Sequence, residues 1–425
     1  MAKYQKYAEY KDSNAQWLGN VPSHWGIEYS KWLFRERNAK AALQDEMLTA
    51  SQKYGVIPQK MFMELEQQKV VQVFSGHDIL KKAETNDFVI SMRSFQGGIE
   101  FSEYSGAVSS AYVPLEPRSD LSLSYYKYLF KSVPYIQALQ TTTNLVRDGQ
   151  ALRYGNFIQV RIPLVPFNEA EKIGQYLDHE TAKIDTLITK QEKLIGLLKE
   201  KRQAVISHAV TKGLNPSAPM KDSGLEWLGE VPEHWVIGRL KNVLSIKNGR
   251  DYKNVEIEEG GYPVYGSGGV FKRSSEYLYD GISILFGRKG TVDKPLLVSG
   301  KFWTVDTMFY SELGKNVNPE YVYFQSLGFP FDKLSTNTAL PSMTQEDLLN
   351  LGFALPPVNE QIEISKFITQ YLEKNHSLME KAKQAIQLMQ ERRTALISAA
   401  VTGKIDVRNW QHPNQKNNNN TELSA

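Results

Sequence analysis

Between residues 166 and 211 apolar side chains return every three or four positions for almost five heptads, with Glu, Lys, Gln and Asp filling the spaces between them. Taking 177, 184, 191, 198 and 205 as one heptad set and 173, 180, 187, 194 and 201 as the other places Leu177, Ile184, Leu187, Leu194 and Leu198 on one stripe. Residues 357 to 402 show the pattern again, with Ile368, Leu378, Met389 and Leu396 on the stripe. A 3.5-residue period held this long, with no Pro inside either segment, predicts coiled-coil helices rather than short amphipathic ones. Pro166 with Asn168 and Pro357 with Asn359 supply start signals, and Lys212-Gly213 a stop. At about 1.5 Å per residue each is a rod of about 60 Å. Two rods in one chain most economically bury their stripes against each other, so the second should return beside the first.

Elsewhere the period changes. Residues 87–92, 111–115 and 157–162 in the first half, and 282–286 and 303–310 in the second, are β-rich and punctuated by glycines such as Gly97-Gly98, Gly106, Gly287 and Gly290. Residues 121–131 and 319–327 between them predict helices. Each half thus carries an insert of mixed α and β character.

Two repeats organise these elements. Lys11-Asp12-Ser13, Trp17-Leu18-Gly19, Val21-Pro22 and His24-Trp25 return 210 residues later as Lys221-Asp222-Ser223, Trp227-Leu228-Gly229, Val231-Pro232 and His234-Trp235, ten of fifteen positions being identical. The helical segment returns at an offset of 191, from Pro166 and from Pro357, with 17 of 46 pairs identical. The inserts between the blocks show no clear repeat, and the second is 19 residues shorter. A period near 200 residues exceeds any solenoid repeat and implies duplicated domains on one frame. The reading divides the chain into 1–163, 164–213, 214–355 and 356–407, with 408–425 as a disordered tail.

At 425 residues the chain is long enough for more than one core. Fifty Lys and Arg against 47 Asp and Glu leave a formal charge of +3, too small to announce a nucleic-acid partner by itself. The inserts are equally balanced, with 15 basic and 14 acidic residues in 26–160 and 13 of each in 236–352. Any basic face must therefore be made by folding. With no Cys, disulfides, thiolate metal sites and Cys nucleophiles are excluded, in keeping with a reducing cytoplasm. Residues 1–14 hold no apolar leader, and stretches such as 282–286 are too short to span a bilayer. We expect a cytoplasmic protein with no membrane partner.

Catalytic chemistry is hard to assemble. None of the Gly-Lys pairs is followed by the Ser or Thr of a phosphate-binding loop. Gly266-Ser267-Gly268-Gly269 lies among turn signals and reads as a turn rather than a phosphate cradle. The seven His have no metal-ligand spacing; His24 and His234, each beside a Trp, read as hydrogen-bonded residues fixing a turn at a domain junction. No catalytic or metal site is expected. Recognition remains. Arg93 and Gln96 sit at a predicted strand end on a glycine turn, and Arg288 and Lys289 are their loose counterpart. Arg147, Arg153, Lys272, Arg273, Thr336 and Asn337 flank other turns. Arg and Gln can read guanine and adenine edges, and Lys can hold phosphates; the plainer alternative for each is solvated surface charge.

The motif shared by 17–25 and 227–235, the run Leu355-Pro356-Pro357-Val358-Asn359-Glu360-Gln361, and Leu340-Pro341-Ser342-Met343-Thr344-Gln345 leading into it resemble the specificity subunit of type I restriction-modification enzymes. The resemblance covers residues 10 to 405. It implies two α/β target recognition domains separated by two long antiparallel coiled-coil helices, in a pseudo-twofold repeat. Each domain would read one half of a split, asymmetric DNA site. The helices would set the spacer and dock two modification subunits, which bind S-adenosylmethionine and methylate adenine N6. Motor-nuclease subunits would join them, using ATP and magnesium to translocate and cut unmodified DNA. This chain itself would hold no cofactor. The first helical block departs from the family form, reading Val165-Pro166-Phe167-Asn168-Glu169-Ala170, which leaves that helix start less defined. A coiled-coil scaffold for protein partners and an independent enzyme with its site in an insert are the rival classes; salt-dependent, sequence-selective DNA binding separates the first, and turnover by the chain alone the second.

Overall fold

The first heptad segment folds as one uninterrupted helix, Phe167–Lys212, and the second as Val358–Val401, in a computed structural model that describes residues 5–68, 79–118, 120–143, 152–336 and 341–413. The chain forms two compact units. The first comprises residues 1–191 and 384–425, the second residues 192–383. Each unit therefore takes the start of one long helix and the end of the other.

Within both units the helices run antiparallel. In the first, Arg393 donates to Asp185 at 2.9 and 3.3 Å while Lys172 reaches the carbonyl of Arg408. In the second, the Asn375 amide donates to the carbonyl of Leu198 at 3.0 Å, and Gly213 lies against Glu360. The seam needs one correction. Leu177, Ile184, Ile368 and Leu396 are buried, and Leu198 and Met389 are half-buried. Leu187, Leu194 and Leu378, however, are 49%, 42% and 52% exposed. Ile173 and Ile364 keep the sequence's frame at the helix starts, but beyond them the inward positions of the second set lie one residue later, at 181, 188, 195 and 209 in the first helix and 372, 379, 386, 393 and 400 in the second. Thr181, Ala209 and Ala400 are buried there, and Ile188 and Leu372 pack on the cores. Leu187-Ile188 and Leu194-Ile195 are adjacent apolar pairs, so both frames collect apolar residues. What decides between them is the pairing of Arg393 with Asp185 and the packing of Thr181, which hydrophobicity does not weigh.

Both long helices end identically. Gly213 and Gly403 each take φ of +71° directly past the last turn, the left-handed stop that glycine accepts without strain. A Cβ on Gly403 would stand 2.3 Å from Pro22 Cδ and 3.2 Å from the Trp25 ring. Gly403→Ala is expected to cost about 1–2 kcal/mol for the backbone alone, lowering the melting temperature. An unchanged melting curve would show that another residue terminates the helix.

The inserts, unlike in sequence, share a topology. In the first unit an antiparallel sheet orders the strands Phe34–Glu36, Val113–Pro117, Phe88–Ile90 and Glu100–Phe101; in the second the order is Leu244–Asn248, Met308–Leu313, Ser283–Gly287 and Leu296–Val298. In each, a further two-stranded ribbon carries the chain into the long helix: Gly26–Tyr29 pairs with Arg161–Leu164, and Val236–Arg239 with Gly352–Leu355. The expected helices form as Leu123–Leu129 and Pro319–Ser326. Two expected strands are broken. Tyr154–Phe157 is a helical turn, the strand beginning only at Arg161. Residues 303–310 divide into Lys301–Thr304 and Met308–Leu313, because Met308 N–H closes a turn on the Val305 carbonyl.

The core of the first unit packs Trp25, Phe34, Phe88, Tyr125, Phe130 and Phe157 against Ile173, Leu177, Leu396 and Val401 of the helices. The core of the second packs Trp235, Phe286, Tyr321 and Phe353 against Ile206, Val210, Ile364 and Ile368. Trp410, which the sequence reading gave to the tail, packs edge-on to Tyr176 at 5.6 Å; residues 414–425 lie outside the described residues. Among the described residues no helix is long and apolar enough to cross a membrane, and no group of three metal-ligating side chains occurs.

Candidate DNA interface

The two repeated motifs meet. His24 Nε2 and Trp25 Nε1 donate to the Glu169 carboxylate at 2.7 and 2.9 Å, and the Tyr7 hydroxyl adds a third bond at 2.7 Å. In the second unit His234 and Trp235 hold Glu360 at 2.7 and 3.1 Å. Each Glu stands in the first turn of a long helix, where a carboxylate also faces the positive end of the helix dipole. The opposite helix is held at its last turn. The Tyr125 hydroxyl donates to the Val401 carbonyl at 2.7 Å, and Tyr321 and Gln325 reach the Val210 carbonyl. Burial raises the pKa of both phenols well above the ordinary range, so they remain donors. The His-Trp pairs are thus anchors for the frame, and the junction reading of His24 and His234 gains a partner the sequence did not name.

Within each unit the insert brings together turns that are distant in sequence. In the first unit the strand Phe88–Ile90 runs into the helical turn Ser94–Gly97, which carries Arg93 and Gln96 exposed at its start and middle. Gln140 Nε2 binds the Phe95 carbonyl at 2.7 Å, and Asn156 Nδ2 binds the Thr142 carbonyl at 2.9 Å while its Oδ1 accepts from Arg153 N–H. Exposed Arg153 is thereby tied, through the end of Val133–Thr141, to the turn bearing Arg93 and Gln96. Arg147 lies outside the described residues.

The second unit builds the corresponding place. Arg288 and Lys289 follow the strand Ser283–Gly287, the counterpart of Phe88–Ile90. Lys289 pairs with Ser342, Gly290 N–H binds the Pro341 carbonyl, and Thr336 N–H binds the Ser342 carbonyl. Arg288, Lys289 and Thr336 therefore share one site; Asn337 lies outside the described residues. Lys272 and Arg273 do not join it directly. They lie on the hairpin strand Gly269–Ser274, and Lys272 is engaged by Glu256 at 2.5 Å. Gly266–Gly269 forms the turn of that hairpin.

Several neighbours escaped sequence reasoning. Gln52, at the tip of the hairpin Leu48–Ser51/Gly55–Pro58, touches the Arg93 carbonyl and crowds Gly97. Arg250 N–H binds the Thr304 carbonyl and Asn248 pairs with Phe309, on either side of the Asp306 and Thr307 segment that Arg288 touches. Gln52 sits in a hairpin turn and Arg250 in the loop after the strand Leu244–Asn248, and the uncharged Gln52 and Asn248 are passed over by a search for charges at strand ends.

One buried acid underlies the first site. Glu100 is held by Lys131 at 2.6 Å, and Lys131 also reaches the Gln52 carbonyl. Burial outweighs the ammonium and pushes the Glu100 carboxyl up to about 7 from its ordinary 4.5. Its raised value means that the fold favours the protonated form: that contribution is complete below about pH 4.5 and is lost as pH rises through 7. Between pH 5 and 8 the wild-type chain should lose stability relative to Glu100→Gln in parallel urea titrations. Parallel pH profiles for the two would contradict this.

Residues 232–388 match the family described as the type I restriction modification DNA specificity domain. The MjaVIII type I restriction enzyme specificity subunit of Methanocaldococcus jannaschii is 24% identical over 365 residues, which cover 76% of this chain and 80% of that one. The fold is shared with a chain from a solved structure concerned with assembly and conformational transition of the type I R-M system, at a TM-score of 0.63 and 14% identity over 90% of this chain and 98% of that one. It is shared too with the HsdS subunit from Thermoanaerobacter tengcongensis, at 0.58 and 13% over 91% and 98%. Residues 232–388 thus carry the type I restriction modification DNA specificity domain, and the chain as a whole is similar in sequence to a type I restriction enzyme specificity subunit and shares the fold of the HsdS subunit.

Proposed function

We propose that each unit reads one half of a split, asymmetric DNA sequence, that the long helices set the unread gap, and that two modification subunits dock on them. The observation that carries this reading is the loop after the third strand in the order given above. The same sheet presents Arg93 and Gln96 at that point in one unit and Arg288 and Lys289 in the other. Equal scaffolds with unequal reading residues suit two different half-sites. Two modules engaged together multiply their discrimination. Catalysis, with S-adenosylmethionine, ATP and magnesium, belongs in this reading to the partner subunits.

The helices supply a repeated surface for those partners. Leu187 and Leu378 correspond across the duplication, as do Leu197 and Leu388, and all four are exposed. The same leucines offered twice fit two copies of one protein with an apolar helix face rather than two unlike partners. Leu187→Glu with Leu378→Glu should abolish co-purification with modification subunits and leave the circular dichroism melt unchanged. Retained assembly would place the docking surface elsewhere.

Gel-shift titration of the chain with and without modification subunits, at two salt concentrations, tests the DNA reading. Salt-dependent preference for one duplex over its scrambled control is the expected result. Equal affinity for both would favour a scaffold, and turnover by the chain alone an enzyme.

A further inference from the structure

The hairpin of the second unit carries an apolar side chain where its hydrogen bonding is irregular. Register runs from Val264 opposite Lys272 to Tyr265 opposite Val270, so Phe271 is the extra residue of a β-bulge. Bulges re-aim a side chain out of the ladder. Phe271 is 50% exposed and Val270 beside it 51%, although leaving two such groups in water forgoes their burial energy. The ring is nonetheless fixed: it stands edge-on to Tyr252 at 5.3 Å, and a Cβ on Gly266 would approach it to 3.3 Å. Arg273 follows exposed on the same strand, while Lys272 is committed to Glu256 and Glu258 lines the cleft alongside. Tyr252 lies two residues after Arg250 in the loop that follows the strand Leu244–Asn248. Arg250 N–H binds the Thr304 carbonyl, and Arg288 reaches the next turn at the Asp306 carbonyl. The hairpin tip therefore borders the candidate reading site.

We infer that Phe271, with Val270 beside it, is a wedge that enters one base step of the half-site read by the second unit and unstacks it. The inference rests on reading that unit as a DNA reader. An apolar side chain held in place next to cationic contacts is the arrangement that opens a base step, the loss of stacking being offset by closer contact with the bent duplex. Unstacking would add selectivity at that step, because flexible pyrimidine–purine steps open more cheaply than others.

The test uses the full chain with its modification subunits on duplexes bearing the methylated sequence. 2-Aminopurine replaces one base at a time at positions other than the methylated adenines, where flipping by the modification subunits would interfere. At saturating protein one position in the second half-site should brighten, and Phe271→Ala should abolish that signal and weaken binding about tenfold. Phe271→Leu should keep it, and Arg288→Ala should weaken binding yet keep it at saturation. No responsive position in the wild type, or an unchanged response in Phe271→Ala, would overturn the wedge while leaving the reading intact. Absence of sequence-selective binding by the wild type would overturn both.

Discussion

Glu169→Ala should destabilise the first unit by about 3–5 kcal/mol, because it strips the acceptor from two buried donors at once. Trp25 Nε1 and the Tyr7 hydroxyl both end on this carboxylate, and neither residue is more than 5% exposed. The partly open His24 loses less. A loss of that size is a large share of the stability of an ordinary domain and should lower the melting temperature by about 10 °C. Glu169→Gln, which keeps one carbonyl acceptor, should fall between. Glu360→Ala removes the same carboxylate from the same motif, but this side chain is 24% exposed against 7% for Glu169, and no tyrosine hydroxyl is bonded to it among the described residues. Its cost should be about 1–2 kcal/mol. Calorimetry on the three variants checks the ranking; a cost below 1 kcal/mol for Glu169→Ala would show that the donors find other acceptors.

The second large effect concerns the gap between half-sites. Seven residues added after Gln191 and seven after Lys383 lengthen both helices by one heptad, preserving the seam on either side of the insertion. At about 1.5 Å per residue this adds about 10 Å, the length of about three base pairs. Such a chain should direct methylation to the same two half-sites with about three more unread base pairs between them. Insertion into one helix alone should instead break the register that places Asp185 at Arg393 and Asn375 at the Leu198 carbonyl, and should lower stability. An unchanged gap in the double insertion would remove the helices from any measuring role.

Much of the frame is legible in the sequence because duplication states it twice. The 3.5-residue stripe locates both long helices, and the recurrence of Trp25 and Trp235 marks both junctions. The acceptor for those Trp residues is not legible, since Glu169 is 144 residues from Trp25 and is one acid among many. The seam was displaced by one position for a related reason: Leu187 and Ile188 are equally apolar, and only contact with the other helix chooses Ile188. The inserts conceal their kinship because a four-stranded sheet asks for alternation and turns, not for particular residues; Phe88–Ile90 and Ser283–Gly287 occupy one place with little in common. The candidate reading residues were found where charge met a predicted strand end, as at Arg93 and Arg288. Lys272 meets the same criterion but is paired with Glu256, an ion pair across strands that spacing cannot reveal. Gln52 and Arg250 were missed because their proximity to the site comes from the fold alone.

The central claim is that one chain with two unlike readers selects one split DNA sequence. Single-molecule methylation sequencing of a host carrying this chain with its modification subunits tests it most directly. The account predicts adenine methylation within a bipartite motif whose halves differ and whose unread gap is constant. Methylation at a continuous or palindromic motif, or at no motif dependent on this chain, would contradict it.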